Sequence, residues 1–216
     1  LEPQLAGIVV NFNRFILIGD QNQLPAVTVQ SDVTTSINDP LLNNIGIFDM
    51  KVSLFERMFN TAVRNGWTNA YGTLIEQFRM DEKIMQLINH YYHDGLRCAL
   101  PERQNLDVIY PKGDESKISE LLRSNRLIFI ETPLSKTGKN NENEADIVAQ
   151  IVEKIKICGL SEKNGSLNLG IITPWRAQIA TIKQKLEEMG ITGVPVDTVE
   201  RFQGSENRVI IYSTSV

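Results

Sequence analysis

Leu169-Gly170-Ile171-Ile172-Thr173-Pro174-Trp175-Arg176-Ala177-Gln178 joins an unbroken apolar run to a polar turn and a helix entry. A short run that is apolar at successive positions fits a strand buried on both faces. Thr-Pro then predicts a helix start, because proline in the first turn forfeits no backbone bond. That helix presents Ile179, Ile182, Leu186 and Met189 as one stripe and stops at Gly190. Comparable apolar runs lie at residues 14–18, closed by Gly19 and Asp20, at 127–130 and at 209–212. Segments of helical period separate them. Asp81 is placed to cap a helix with the face Ile84, Leu87, Ile88 and Tyr91, ended by Gly95. Asn141 and Glu144 have capping-box spacing ahead of Val148, Ile151, Val152 and Ile155, with Gly159 as the stop. Residues 95–125 are weakly periodic and predict one helix, 116–123.

Buried strands alternating with amphipathic helices predict an α/β fold: a parallel sheet with helices on both faces. Ligands of such sheets sit beyond the carboxyl ends of the strands, which singles out residues 19–23, 173–178 and the loop around Gly204. The polar stretches 11–13 and 21–44 read as loops, and 32–44 as a mobile one.

The chain has 216 residues, 42% of them hydrophobic, enough for a buried core. Its apolar runs are far shorter than the roughly 18 residues that span a bilayer, so no membrane segment is expected. A net charge of −4 and a pI near 5.3 argue against an exposed, sequence-independent grip on phosphates, which needs clustered Lys and Arg. Cys98 and Cys158 form no Cys-x-x-Cys pair, and His90 and His93 lack further ligands, so neither a disulfide framework nor a metal site is expected. A reducing, cytoplasmic setting follows. The chain opens Leu-Glu-Pro-Gln and closes in an apolar run without a cap, so both ends read as cut from something longer.

Four stretches stand in order: Gly19-Asp20-Gln21-Asn22-Gln23-Leu24-Pro25; Gln77-Phe78-Arg79-Met80; Ile172-Thr173-Pro174-Trp175; and Val196-Asp197-Thr198 running into Phe202-Gln203-Gly204-Ser205-Glu206. Together they resemble superfamily 1 helicases, in the 5′-to-3′ branch that holds the nonsense-mediated-decay helicase and its nuclease-helicase relatives. Residues 53–57, Ser-Leu-Phe-Glu-Arg, are similar to that family's linking helix. The resemblance implies a RecA-like P-loop NTPase fold. Residues 1–50 would be the rear of a first motor lobe with its linker, and 51–216 a second lobe ending before the last motif. Gly-x-x-x-x-Gly-Lys-Ser/Thr is nevertheless missing. Gly138-Lys139 has Pro133 where the first glycine belongs and Asn140 where the hydroxyl belongs, and Asp81-Glu82 reads as a helix cap rather than a metal-binding pair.

The resemblance also implies roles. Gln23 would sense the γ-phosphate, since an amide accepts from water and donates to phosphate at once, and Arg79 would reach that phosphate as a fixed positive charge. Gly19, Asp20, Gln203, Gly204 and Glu206 would complete the ATP contacts, Glu206 at the ribose and Gly204 by close backbone approach. Thr173, Pro174, Arg176, Gln178 and Thr198 would hold single-stranded nucleic acid through hydroxyls and a helix amino terminus, which needs no net positive charge. Each has a structural alternative: a loop amide for Gln23, a helix-entry ion pair for Arg79, a plain helix start for Thr173 and Pro174. Trp175, in place of a tyrosine, fits stacking on a base or burial. The function implied is an ATP-dependent, Mg2+-requiring helicase, with DNA favoured over RNA, of which this chain is a segment that needs the remaining motor parts and is inactive alone. The competing reading is a non-catalytic ATPase-like clamp or interaction module.

Overall fold

The computed structural model describes residues 2–25, 27–104, 115–134, 138–157 and 168–215. They form two compact units, Leu1–Phe78 with Ile88–Ala99, and Arg79–Leu87 with Leu100–Val216. The first unit thus adds residues 51–78 and 88–99 to the 1–50 segment.

The first unit holds helices α1 (Glu2–Val9), α2 (Asp32–Thr35), α3 (Pro40–Asn44) and α4 (Leu54–Arg64). Strand β1 (Glu76–Gln77) pairs in parallel with β2 (Arg97–Cys98). Helix α4 is set by its own ends: the Ser53 hydroxyl accepts from the Glu56 N–H at 3.1 Å, and Leu54 and Ala62 are buried. Phe59 meets Tyr71 edge to face with centroids 5.3 Å apart. Residues 32–44, expected as a mobile loop, instead form α2 and α3. The Asp39 carboxylate accepts from Leu41 N–H and Leu42 N–H at 2.8 and 3.1 Å, and Ser36 bridges Asp49. Residues 14–18 have no regular secondary structure and pair with no strand among the described residues, and Ile16 and Ile18 stay 88% and 91% exposed. The expected buried strand is absent because an apolar run gains nothing by extension unless a neighbour takes up its backbone groups.

Helix α5 (Glu82–Asn89) follows Asp81, whose carboxylate accepts from the Lys83 N–H at 2.9 Å, so the expected cap is present. Its buried residue is Met85, while Leu87 and Tyr91 of the expected stripe are 56% and 62% exposed. Leu87 is exposed although it lies within α5, whereas Tyr91 falls in a 3-10 turn, His90–Tyr92, that replaces the α-helix, and His93 and Asp94 then take left-handed backbone with φ of 52° and 56°.

In the second unit come α6 (Pro101–Gln104), α7 (Lys117–Ser124), α8 (Glu142–Ile157), β3 (Leu169–Ile172), α9 (Arg176–Glu188), β4 (Val196–Asp197), α10 (Val199–Phe202) and β5 (Val209–Tyr212). The sheet is parallel throughout in the order β4-β3-β5. Its core joins Val148, Val152 and Ile155 of α8, Leu169 and Ile171 of β3, and Ile182 and Leu186 of α9. Helix α7 has the expected Ser116 cap, and Asn141 caps α8 by accepting from the Glu144 N–H at 3.1 Å. Alternate residues of β3 face opposite ways. Leu169 and Ile171 meet the two long helices, while Gly170 lies under Phe202 of α10. On that second face Ile210 and Tyr212 are 48% and 59% exposed. The fold class is α/β with a parallel sheet.

Two expectations change here. Residues 127–130 form no strand, opening in a bend and finding no pairing partner among the described residues, and Phe129 is 90% exposed. Helix α9 begins at Arg176, with Trp175 as an extended N-cap, rather than at Thr173, because Thr173 continues the sheet by donating its N–H to Asp197 O at 3.2 Å. The stops expected at Gly95 and Gly190 differ in kind: Gly190 has the left-handed φ of 65° that ends α9. Cys158 and Gly159 lie outside the described residues. No helix among the described residues is long and apolar enough to cross a membrane.

Candidate functional site

In the first unit, residues 19–23 form a turn closed by the Gln23 N–H on Asp20 O at 3.3 Å. A Cβ on Gly19 would stand 3.0 Å from the Phe55 ring, so α4 packs tightly on the loop backbone and a larger residue there needs that ring to give way. The Asp20 carboxylate gathers the loop. Its Oδ1 accepts from the Asn22 N–H at 3.0 Å, and its Oδ2 accepts from Gln23 Nε2 at 2.9 Å and from the Tyr92 hydroxyl at 2.7 Å. Burial by itself would raise the Asp20 pKa, but the bonds from Tyr92, Gln23 and Asn22 outweigh it and hold the group below its usual 3.8. Burial, then the bond to Asp20 and its charge, push the Tyr92 phenol up to about 12. Asn22 Nδ2 also donates to Tyr91 O at 2.9 Å, so the loop is tied at two points to the turn after α5.

In the second unit, Arg79 and Glu206, distant in sequence, meet with Nε donating to Oε1 at 2.7 Å, their side chains 60% and 66% exposed. Glu206 belongs to the loop after α10, where Gly204 has a φ of 84°. A Cβ on Gly204 would meet nothing within 4 Å, so left-handed backbone, and not a close approach within this chain, explains the glycine. Gln203 is exposed beside it.

Thr173 and Thr198 each follow a paired position, Ile172 and Asp197, at the carboxyl ends of β3 and β4. The loop containing Gly204 and Glu206 instead descends to the amino ends, where the Arg208 N–H bonds Asn168 Oδ1 at 2.6 Å. The expectation that this loop gathers at the carboxyl ends is therefore corrected: a parallel connection from β4 must carry the chain back to the start of β5.

Among the strand-end residues, Pro174, Trp175 and Arg176 are exposed, but Thr173 and Gln178 are fully buried. Thr173 Oγ1 has no hydrogen-bond partner among the described residues. Gln178 spends its amide inside the protein: Oε1 accepts from the Asn141 N–H at 2.7 Å, while Nε2 donates to Asn141 O at 3.2 Å and to Ser213 Oγ at 3.0 Å. Glu144 Oε2 accepts from the Ser215 N–H at 2.9 Å and extends this buried set. The Thr198 hydroxyl bonds the Glu200 carboxylate and lowers its pKa. Tyr92 and Ser213 escaped the reading of the sequence, which offers only a Tyr-Tyr before a turn and a single polar residue beside an apolar run, and Asn141 was legible as a helix cap but not as the partner of Gln178.

Among the described residues no three His, Cys, Asp or Glu side chains are grouped as metal ligands. For a nucleotide the fit is better, since a guanidinium and a carboxylate both open to solvent can take a phosphate and a ribose respectively.

A family model described as an AAA domain matches residues 50–215. The chain is 25% identical over 98% of its length to the DNA replication ATP-dependent helicase/nuclease DNA2 of Bos taurus, covering 20% of that protein. It is 26% identical over 94% of its length to the DNA polymerase alpha-associated DNA helicase A of Saccharomyces cerevisiae, covering 29% of it. An ATP-dependent helicase of Methanocaldococcus jannaschii is 25% identical over 99% of the chain, again with 29% of the relative covered. The chain thus spans less than a third of the length of these relatives.

Proposed function

The chain belongs to the AAA domain family, and we propose that it is the carboxy-terminal motor segment of a superfamily 1 helicase with a RecA-like fold that couples ATP hydrolysis to movement on single-stranded nucleic acid. Residues 1–50 then belong to the rear of a first motor lobe and 51–216 to a second. The observation that carries this reading is the pair Arg79–Glu206. An ion pair this exposed contributes little to stability, and both of its members are motif residues. A nucleotide explains both, with Arg79 on its terminal phosphate and Glu206 on its ribose. Gln23, held through Nε2, has its amide oxygen left to accept from water, and Gly19, Asp20, Gln203 and Gly204 shape the loops that carry these groups. Thr198, Pro174, Arg176 and the α9 amino terminus contact the strand, with Trp175 as a stacking surface, while Thr173 and Gln178 position that helix from within. Two of the three relatives are named for DNA, which favours DNA over RNA. The Mg2+ needed for phosphoryl transfer is assigned ligands in other parts of the longer protein, and a reducing, cytoplasm-like compartment suits the cysteines.

In that longer protein, Arg79→Ala lowers ATP turnover by roughly a hundredfold or more while nucleotide affinity falls much less, because a fixed charge acts chiefly on the transition state. Gln23→Ala keeps strand binding without nucleotide but loses the difference in strand affinity between ATP-bound and free states, typically about 1 to 3 kcal/mol. Unchanged turnover in the first variant and an unchanged affinity ratio in the second would defeat the proposal. The phosphate loop missing from this sequence favours one rival, a passive clamp. A clamp binds strands yet shows no turnover even in the longer protein.

A further inference from the structure

Gln23 is exposed, and a free glutamine amide in a polar loop samples many orientations. Among the described residues the amide has one anchor, Asp20 Oδ2, which as a carboxylate oxygen only accepts. The anchor therefore selects the nitrogen, and the amide oxygen faces away from it. The orientation of Gln23 is only as fixed as the Asp20 carboxylate. That carboxylate is held on Oδ1 by the Asn22 N–H, and on Oδ2 by one group from outside the loop, the Tyr92 hydroxyl at 2.7 Å. Tyr92 is itself fixed by the 3-10 turn and by the left-handed His93 and Asp94 that follow. Asn22 Nδ2, bonded to Tyr91 O, keeps turn and loop in register.

We infer that Tyr92 is a positioning residue for Gln23, acting through Asp20: its hydroxyl fixes the carboxylate, and the carboxylate holds one N–H of the amide so that its oxygen and its second N–H are presented in one orientation to a ligand or to water. This rests on the proposed nucleotide-facing role of Gln23 and adds a residue that none of the four motifs contains. The path is short. A hydroxyl hydrogen bond orients a carboxylate, which orients an amide, and the three side chains belong to the same compact unit.

The test separates position from chemistry. In Tyr92→Phe of this chain, with glutamine side chains isotope-labelled, the Gln23 Nε2 resonances move toward free-amide values and the Asp20 carboxyl titrates at higher pH than in the parent. In the longer protein the same variant loses about tenfold in kcat with nucleotide KM nearly unchanged, the signature of a misplaced group rather than a lost binding contact. Should Tyr92→Phe fold poorly, Asp20→Asn provides a second route: the Tyr92 phenol, which ionises at about 12 in the parent, returns toward 10. Unmoved Gln23 resonances or an unshifted phenol each overturn the inference, as does an unchanged kcat in Tyr92→Phe when Gln23→Ala itself lowers turnover. If the resonances move and Gln23→Ala leaves turnover intact, the nucleotide role of Gln23 falls instead, and the Tyr92–Asp20–Gln23 geometry stands.

Discussion

Replacing Gly170 by alanine tests whether the sheet and the loop bearing Glu206 are as closely packed as described. Gly170 occupies the second position of β3, on the face opposite α8 and α9, and its Cα lies beneath the Phe202 ring. A Cβ there would clash with Phe202 Cε1 and stand 3.0 Å from Cζ and 3.1 Å from Asn207 Nδ2. The ring must therefore move. It sits on the four-residue helix α10, too short to resist, and Asn207 adjoins Glu206. Overpacking of this kind costs about 1 to 3 kcal/mol, which for a chain of this size lowers Tm by roughly 2 to 12 °C. The displaced loop also loosens the Arg79–Glu206 bond. The informative assay is a double-mutant cycle with Phe202→Ala, followed by thermal and urea unfolding. Because Phe202→Ala removes the clashing ring, Gly170→Ala should cost far less in its presence than alone. Strict additivity, or an alanine variant as stable as the parent, would refute the close packing of β3 against Phe202.

Gln178→Leu preserves bulk but strands its buried partners on Asn141 and Ser213, at about 1 to 3 kcal/mol for each group left unsatisfied; thermal unfolding measures it, and a neutral result would show that water replaces the amide. Asp20 has a depressed folded-state pKa, so its stabilising contribution is present above its usual 3.8 and is lost as pH falls through the lower folded value. Tyr92 has a raised one, so its contribution is present below 10 and is lost as pH rises toward about 12. Acid and alkaline unfolding of Asp20→Asn should therefore be shallower in both windows than that of the parent, and identical profiles would remove the pair as a source. This chain alone should hydrolyse no ATP, since its sequence has no phosphate loop; strand-stimulated hydrolysis that scales with its concentration would contradict that.

The elements legible in the sequence were those whose signals are local. Ser116 and Asn141 cap helices as their spacing indicates, and Val148, Val152, Ile155, Ile182 and Leu186 enter one core because the 3.6-residue period places them on facing sides. Strand existence was less legible. Apolar runs at 169–172 and 209–212 pair, while similar runs at 14–18 and 127–130 do not, since pairing depends on a neighbour that the run itself does not encode. At the site, motif spacing pointed to Gln23, Arg79 and Glu206. It could not show that Gln178 is enclosed or that Tyr92 bonds Asp20, because both depend on residues far away in the chain.

The open run at 14–18 has a colloidal consequence. Its backbone amides and carbonyls take part in no ladder among the described residues, while Phe15, Ile16 and Ile18 lie in solvent. Such a run is a template for another strand. A net charge of −4 spread over 216 residues is a weak repulsive barrier to self-association. This segment therefore favours self-association of the isolated chain, and a lysine at Ile16, which is 88% exposed, should raise its solubility.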